Sequence, residues 1–129
     1  MIAIDTNIII RLLTRDDKNQ YNASLQLFNK EQIFIPDTVI LETEWVLRFA
    51  YEFKPKDVCI AFRKLFGLPN VHLTNELIVA QAIDWHENEL DFADSFHLAL
   101  CQQISSLKTF DEKLIKKSKG LFKCLAEKP

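Results

Sequence analysis

Short apolar runs that stop at a polar residue, each followed by a helical pattern, limit what this chain can fold into more than any other feature. The first run, Met1 to Ile4, halts at Asp5; Thr6 and Asn7, both helix-capping types, then precede the apolar stretch Ile8 to Leu13. That is a buried strand, a tight turn and a helix. After the polar break Arg15 to Asn19, the pattern predicts an amphipathic helix over Tyr21–Lys30 and a strand over Ile33–Ile35 closed by Pro36. A helix capped by Asp37 or Thr38 should run to about Phe53, and another over Asp57–Phe66 should stop at Gly67. Val71–Leu73 reads as a strand, Glu76–Glu87 as a helix capped by Thr74, and Asp91 opens a helix from Phe92 to about Ile104. Leu107–Phe110 is a strand ending at Asp111, Glu112–Lys117 a short basic helix, and Leu121–Leu125 a last strand after Gly120. Strands alternate with helices, and the connections are too long for hairpins. The expected fold class is α/β, with a mainly parallel central sheet of about five short strands flanked by helices on both faces.

At 129 residues, one domain spanning 1–129 is expected, and 48% hydrophobic with 26% charged residues describes a globular chain. The net charge of −2 supplies no overall basic field for nucleic acid, so any such contact must come from a local patch. The apolar runs are too short to span a membrane, and the N-terminus shows neither a basic leader nor a cleavage pattern. Cys59, Cys101 and Cys124 are odd in number and set among apolar residues, which predicts reduced, packed thiols in a cytoplasmic protein. The chain holds no CxxC or Cys/His spacing for structural zinc.

The chemistry lies in carboxylates. Asp5 and Asp111 end predicted strands; Asp91 and Asp94, three apart, share the first turn of one helix. Asp91 also fits a plain N-cap and Asp94 a first-turn acid favoured by the helix dipole. Glu42 falls on a stripe with Val39, Trp45, Val46 and Phe49, but that helix is apolar nearly all round, which leaves inward and outward placements both open. Glu44 and Arg48 form an i,i+4 pair expected to be solvated, while Trp45 and Trp85 read as core or interface anchors. His72, His86 and His97 are scattered; His97, one turn after Asp94, is the one worth testing. No Lys or Arg occurs from Leu65 to Leu107, whereas Glu76, Asp84, Glu87, Glu89, Asp91 and Asp94 do. Two carboxylates about 4 Å apart repel by about 4 kcal/mol at an effective dielectric near 20. A hard divalent cation reverses that sign, and oxygen ligands without His or Cys suit Mg²⁺ or Mn²⁺.

In order and spacing, Asp5-Thr6-Asn7, Leu41-Glu42, the run Asp91 to Ala99 and Thr109-Phe110-Asp111 make the sequence resemble PIN-domain ribonucleases, most closely VapC-type toxins of prokaryotic toxin–antitoxin pairs. The resemblance covers nearly all the chain. It implies a single PIN-like domain whose acidic pocket holds Mg²⁺ or Mn²⁺ and cuts RNA. Carried over by position, Asp5, Glu42, Asp94 and Asp111 are the acidic quartet, Asp91 is an additional acid, and Thr6 and Thr109 are hydroxyl neighbours. Ser95-Phe96 departs from the usual small residue followed by Leu, which bears on packing rather than chemistry.

A metal route predicts products with 5′-phosphate and 3′-hydroxyl ends, and single-stranded or looped RNA as substrate. After Ser106, seven lysines stand against Asp111, Glu112 and Glu127; this excess of positive charge reads equally as a phosphate track or a solvated face. The resemblance also implies a cognate antitoxin and a homodimer. Surplus large apolar residues, Trp45, Phe49, Tyr51, Phe62 and Phe66, offer a docking groove or dimer patch. The rival readings are a catalytically silent PIN-fold interaction module and a Mg²⁺-dependent phosphotransfer domain of the response-regulator type. The second fits poorly, because one Asp rather than an acidic pair follows the first strand.

Overall fold

The computed structural model describes residues 1–121 and 123–129, so Phe122, which falls in the last expected strand, lies outside the described residues. The chain forms two compact units, Met1–Glu76 and Leu77–Pro129.

In the first unit, β1 (Ile2–Ala3), β2 (Ile33–Phe34) and β3 (Val71–His72) form a parallel ladder in the order β1-β2-β3. Ile2 pairs with Ile33 and Ile33 with Val71; Ala3 pairs with Phe34 and Phe34 with His72. Two helices connect each strand to the next: α1 (Thr6–Thr14) and α2 (Lys18–Lys30), then α3 (Asp37–Tyr51) and α4 (Pro55–Phe66). Such long crossovers are what parallel pairing requires. Ile33, Ile35, Ile40, Leu47, Val58 and Phe62 are buried, so the sheet and the inward stripes of α3 and α4 carry this unit's core.

Helix starts differ from expectation by a few residues, each for a local reason. Asp5, not Thr6 or Asn7, caps α1, its Oδ1 accepting from Thr6 N at 2.7 Å. Asp17 caps α2 through Gln20 N at 3.0 Å, which moves the start from Tyr21 to Lys18. Pro36 holds the N-cap position of α3, and Asp37 follows as a first-turn acid. Pro55 begins α4, where its missing N–H loses nothing, and Asp57 Oδ2 accepts from Lys54 N at 3.0 Å. A polar knot ties the C-terminal ends of α1 and α3 together. Tyr51 Oη donates to Asp16 Oδ2 at 2.5 Å, while Arg11 reaches Asp16 at 3.0 Å and Gln20 at 2.6 Å. The Tyr51 hydroxyl, then the Thr14 hydroxyl and the Arg11 guanidinium, hold the Asp16 carboxyl below its usual range.

The second unit holds most of α5 (Glu76–Glu87), then α6 (Phe92–Leu100), β4 (Ser106–Lys108), α7 (Glu112–Ser118) and β5 (Leu125–Glu127). β4 and β5 pair in parallel, Ser106 with Leu125 and Lys108 with Glu127. Every pairing among the described residues is thus parallel, as expected of the α/β class, but the five strands form two ladders rather than one continuous one. Helix α6 stops at Leu100, short of Ile104: Cys101 N bonds Leu98 O at 3.0 Å and Ile104 N bonds Cys101 O at 2.8 Å, so the chain tightens into three-residue turns instead of continuing the helix. β4 ends at Lys108, short of Phe110, which points to solvent. β5 begins where the last strand was expected to end: Leu121 N instead bonds Ser118 O at 3.1 Å, and Gly120 turns the chain at φ 79. Within the core of this unit, Phe92 stands edge-on to Phe96 at 6.0 Å and to His86 at 5.4 Å. His86 lies buried with Nδ1 2.8 Å from Leu90 O, a structural role. Ser95 and Phe96 are both buried, in keeping with a packing role for that departure. The three cysteines are free thiols, Cys59 and Cys124 buried and Cys101 half-buried. No helix among the described residues is long and apolar enough to cross a membrane.

Candidate active site

In the first unit the site residues meet through Thr6. Its backbone N–H binds Asp5, and its hydroxyl donates a short hydrogen bond to Glu42 Oε1. Thr6 is buried while Asp5 and Glu42 are exposed, so a hydroxyl packed at the start of α1 fixes two carboxylates that face solvent. Each carboxylate has a second oxygen beyond the one engaged here. Glu42 therefore looks outward, and the stripe reading is settled against burial. The buried glutamate of α3 is Glu44, 2% exposed, and this overturns its expected solvation. Arg48 answers it with Nη2 3.2 Å from Oε1 and Nε 2.9 Å from Oε2, the second contact being an ion pair rather than an aligned hydrogen bond. In a helix apolar nearly all round, the i,i+4 partner was the signal: an Arg one turn on can follow a carboxylate inward, and Glu42 has none.

In the second unit the acids sit at helix starts. Asp91 caps α6, its Oδ2 accepting from Asp94 N at 3.2 Å, so the plain N-cap reading holds for it. Asp94 is half-buried in the first turn. Burial first, then the negative charges of Asp91 and Asp111, push its carboxyl above the usual range; exposed His97 pulls it slightly back. Asp111 lies three residues beyond β4 rather than at its last residue. It caps α7 through Leu114 N at 3.1 Å, and its own N–H donates to Thr109 Oγ1 at 3.0 Å. Lys117 Nζ donates to Glu89 O at 3.0 Å and so anchors α7 beside the connection that leads to α6.

The donors are carboxylate oxygens, with hydroxyls behind them. That set suits a hard divalent cation, and two like charges, Asp91 and Asp111, add to the burial that pushes the Asp94 carboxyl up. Among the described residues no three His, Cys, Asp or Glu side chains stand close enough to form a ready-made metal cage.

Parallel β–α units with carboxylates set at helix starts define an α/β protein with an acidic site. The chain belongs to the PIN domain family, whose model matches residues 2–120. The family expectation and the α/β class are thereby borne out. A crystal structure of VapC20 from Mycobacterium tuberculosis, described as a sarcin–ricin loop cleaving toxin, matches at 19% identity and a TM-score of 0.44. The match covers 97% of this chain and 99% of that one. No curated protein matches this sequence.

Proposed function

We propose that residues 1–129 act as a single PIN-like nuclease domain, a Mg²⁺- or Mn²⁺-dependent endoribonuclease that serves as the VapC-type toxin of a toxin–antitoxin pair in the cytoplasm. The observation that carries this is Asp94: a half-buried carboxyl pushed up first by burial and then by the charges of Asp91 and Asp111, with no lysine or arginine in its own segment. Asp5, Glu42, Asp94 and Asp111 are the residues proposed to hold the cation, with Asp91 kept at its cap as an accessory charge. A bound Mg²⁺ or Mn²⁺ supplies Lewis-acid polarisation of a phosphodiester and a more acidic water. The chain's own part is to orient: the Thr6 hydroxyl fixes Glu42, the Thr6 N–H fixes Asp5, and Thr109 fixes the backbone of Asp111. The products expected carry 5′-phosphate and 3′-hydroxyl ends.

The proposed partners are a cognate antitoxin and a second copy of the chain. On α3, Trp45 is 57% and Phe49 60% exposed, with ring centroids 5.0 Å apart and Arg48 stacked over Phe49 at 4.5 Å. Phe62 is not part of this face; it is fully buried, and Tyr51 and Phe66 are half-buried. The deciding experiment is cleavage of labelled RNA by wild type, Asp94→Asn and Asp84→Asn, with chelator and with each metal. Metal-dependent cleavage lost only in Asp94→Asn supports the reading; equal loss in both variants, or cleavage in chelator, overturns it.

A further inference from the structure

One large aromatic side chain stands at the site with nothing to pack on. Phe110, directly before Asp111, is 81% exposed and has no ring contact among the described residues. Its two chain neighbours are tied down: Thr109 N bonds Glu127 O at 3.0 Å, and Asp111 caps α7. The ring is thus held out on a fixed backbone, a costly placement for apolar area in water and a good one for a flat ligand. Beyond it, α7 and β5 enclose an open concavity of about 430 Å³ lined by Glu112, Ile115, Lys116, Lys119, Glu127 and Lys128. Both of its acids are already answered by lysines, Glu112 by Lys128 and Glu127 by Lys108, each at 2.7 Å. Lys116 and Lys119 have no carboxylate partner among the described residues, so the concavity carries surplus positive charge in a protein of net charge −2.

We propose that the corner from β4 to α7 is a single-stranded RNA path, in which the Phe110 ring stacks on a base next to the phosphate that meets Asp111, and Lys116 and Lys119 hold backbone phosphates further along. An aromatic platform beside a lysine track is the chemistry of single-strand binding, because every base has a π-face and every linkage a charge. A base stacked on Phe110 must be free of its own neighbours, which selects loops and single strands over duplex. Lys116 stands five residues beyond Asp111, about 7 Å along the axis of α7, so ring and ammonium address different nucleotides. The path rests on the ribonuclease reading, and it adds residues outside the acidic quartet.

The test is binding of a fluorescein-labelled oligouridylate to the full chain in chelator, read by anisotropy across a salt series. Phe110→Ala should weaken binding about 5- to 100-fold, Phe110→Tyr and Phe110→Trp should restore it, and Phe110→Leu should not. Lys116→Glu with Lys119→Glu should weaken binding and flatten the dependence of log Kd on log salt by about 0.7 for each phosphate no longer neutralised. Lys18→Glu with Lys30→Glu, both exposed on α2, makes the same change in total charge and serves as the control. Steady-state cleavage with Mg²⁺ should place the Phe110→Ala defect in KM. Wild-type affinity and salt slope in these variants would overturn the path. So would a Phe110→Ala protein that keeps RNA binding but loses self-association or antitoxin binding, since the ring would then belong to a protein interface. A wild type that binds as described but never cleaves would sink the nuclease reading and leave the path standing.

Discussion

In the proposed site, Asp94 would link stability to function at the level of a single group. Its carboxyl is pushed up by burial and by Asp91 and Asp111, so the folded state binds that proton more tightly than the unfolded chain does. Above the folded pKa both states are ionised and the folded chain bears the full penalty. As pH falls toward the ordinary carboxylate value, 3.8, the native state takes up the proton first and the penalty fades. Metal-free protein should therefore gain stability from this group as pH falls through that window. Asp94→Asn should remove that slope and stabilise the metal-free fold by ~1 kcal/mol after solvent screening. Cleavage should fall by orders of magnitude in the same variant. Melting curves against pH in chelator check the first part; a variant that melts lower than wild type would refute it. The two glutamates of α3 make the converse case. Arg48→Met leaves Glu44 buried without its guanidinium and should cost about 2 kcal/mol. Glu42→Gln, at an exposed position, should stay within about 0.5 kcal/mol of wild type in urea titration while losing activity.

At the scale of elements, the corner where α1 meets α3 depends on Asp16 being charged. Its carboxyl is depressed chiefly by the Tyr51 hydroxyl, so its contribution is present above the ordinary carboxylate pKa and disappears as pH falls through the lower, folded value. Tyr51→Phe should accordingly melt below wild type at neutral pH, and the gap should close in strong acid; a gap independent of pH would mean that the loss is packing alone. All seven helices among the described residues are legible in the sequence, because caps and apolar periods mark them independently. Their ends are less so: Pro36 and Pro55 set starts that residue-type preferences assign to the following acids. Strands of two or three residues lack room for an alternating pattern, so the sequence puts β5 four residues early and Phe110 inside a strand. The exposure of Phe110 becomes visible only once β4 ends at Lys108. Of the site, the acids are readable as a set of strand-end and helix-start carboxylates. The Thr6–Glu42 bond is not, since it joins residues 36 apart in the chain.

At the scale of the molecule, the question is what the outward face of α3 meets. A helix that buries Ile40, Leu47 and Glu44 on one side while exposing Trp45 and Phe49 on another has more apolar surface than its own unit uses. Exposed aromatics at such a density are where protein partners dock. Trp45→Glu with Phe49→Glu should therefore abolish concentration-dependent self-association in sedimentation, antitoxin binding, or both. Because both side chains are more than half exposed, the double variant should keep wild-type folding, with a change within about 0.5 kcal/mol per site. Phe62→Ala supplies the contrast that makes the result readable. That ring is fully buried and stands 5.0 Å from Phe66, so its removal should cost about 3–5 kcal/mol and weaken partner binding only by unfolding the chain. A folded double variant that still self-associates and still binds the proposed antitoxin would show that the α3 face is neither of the proposed interfaces.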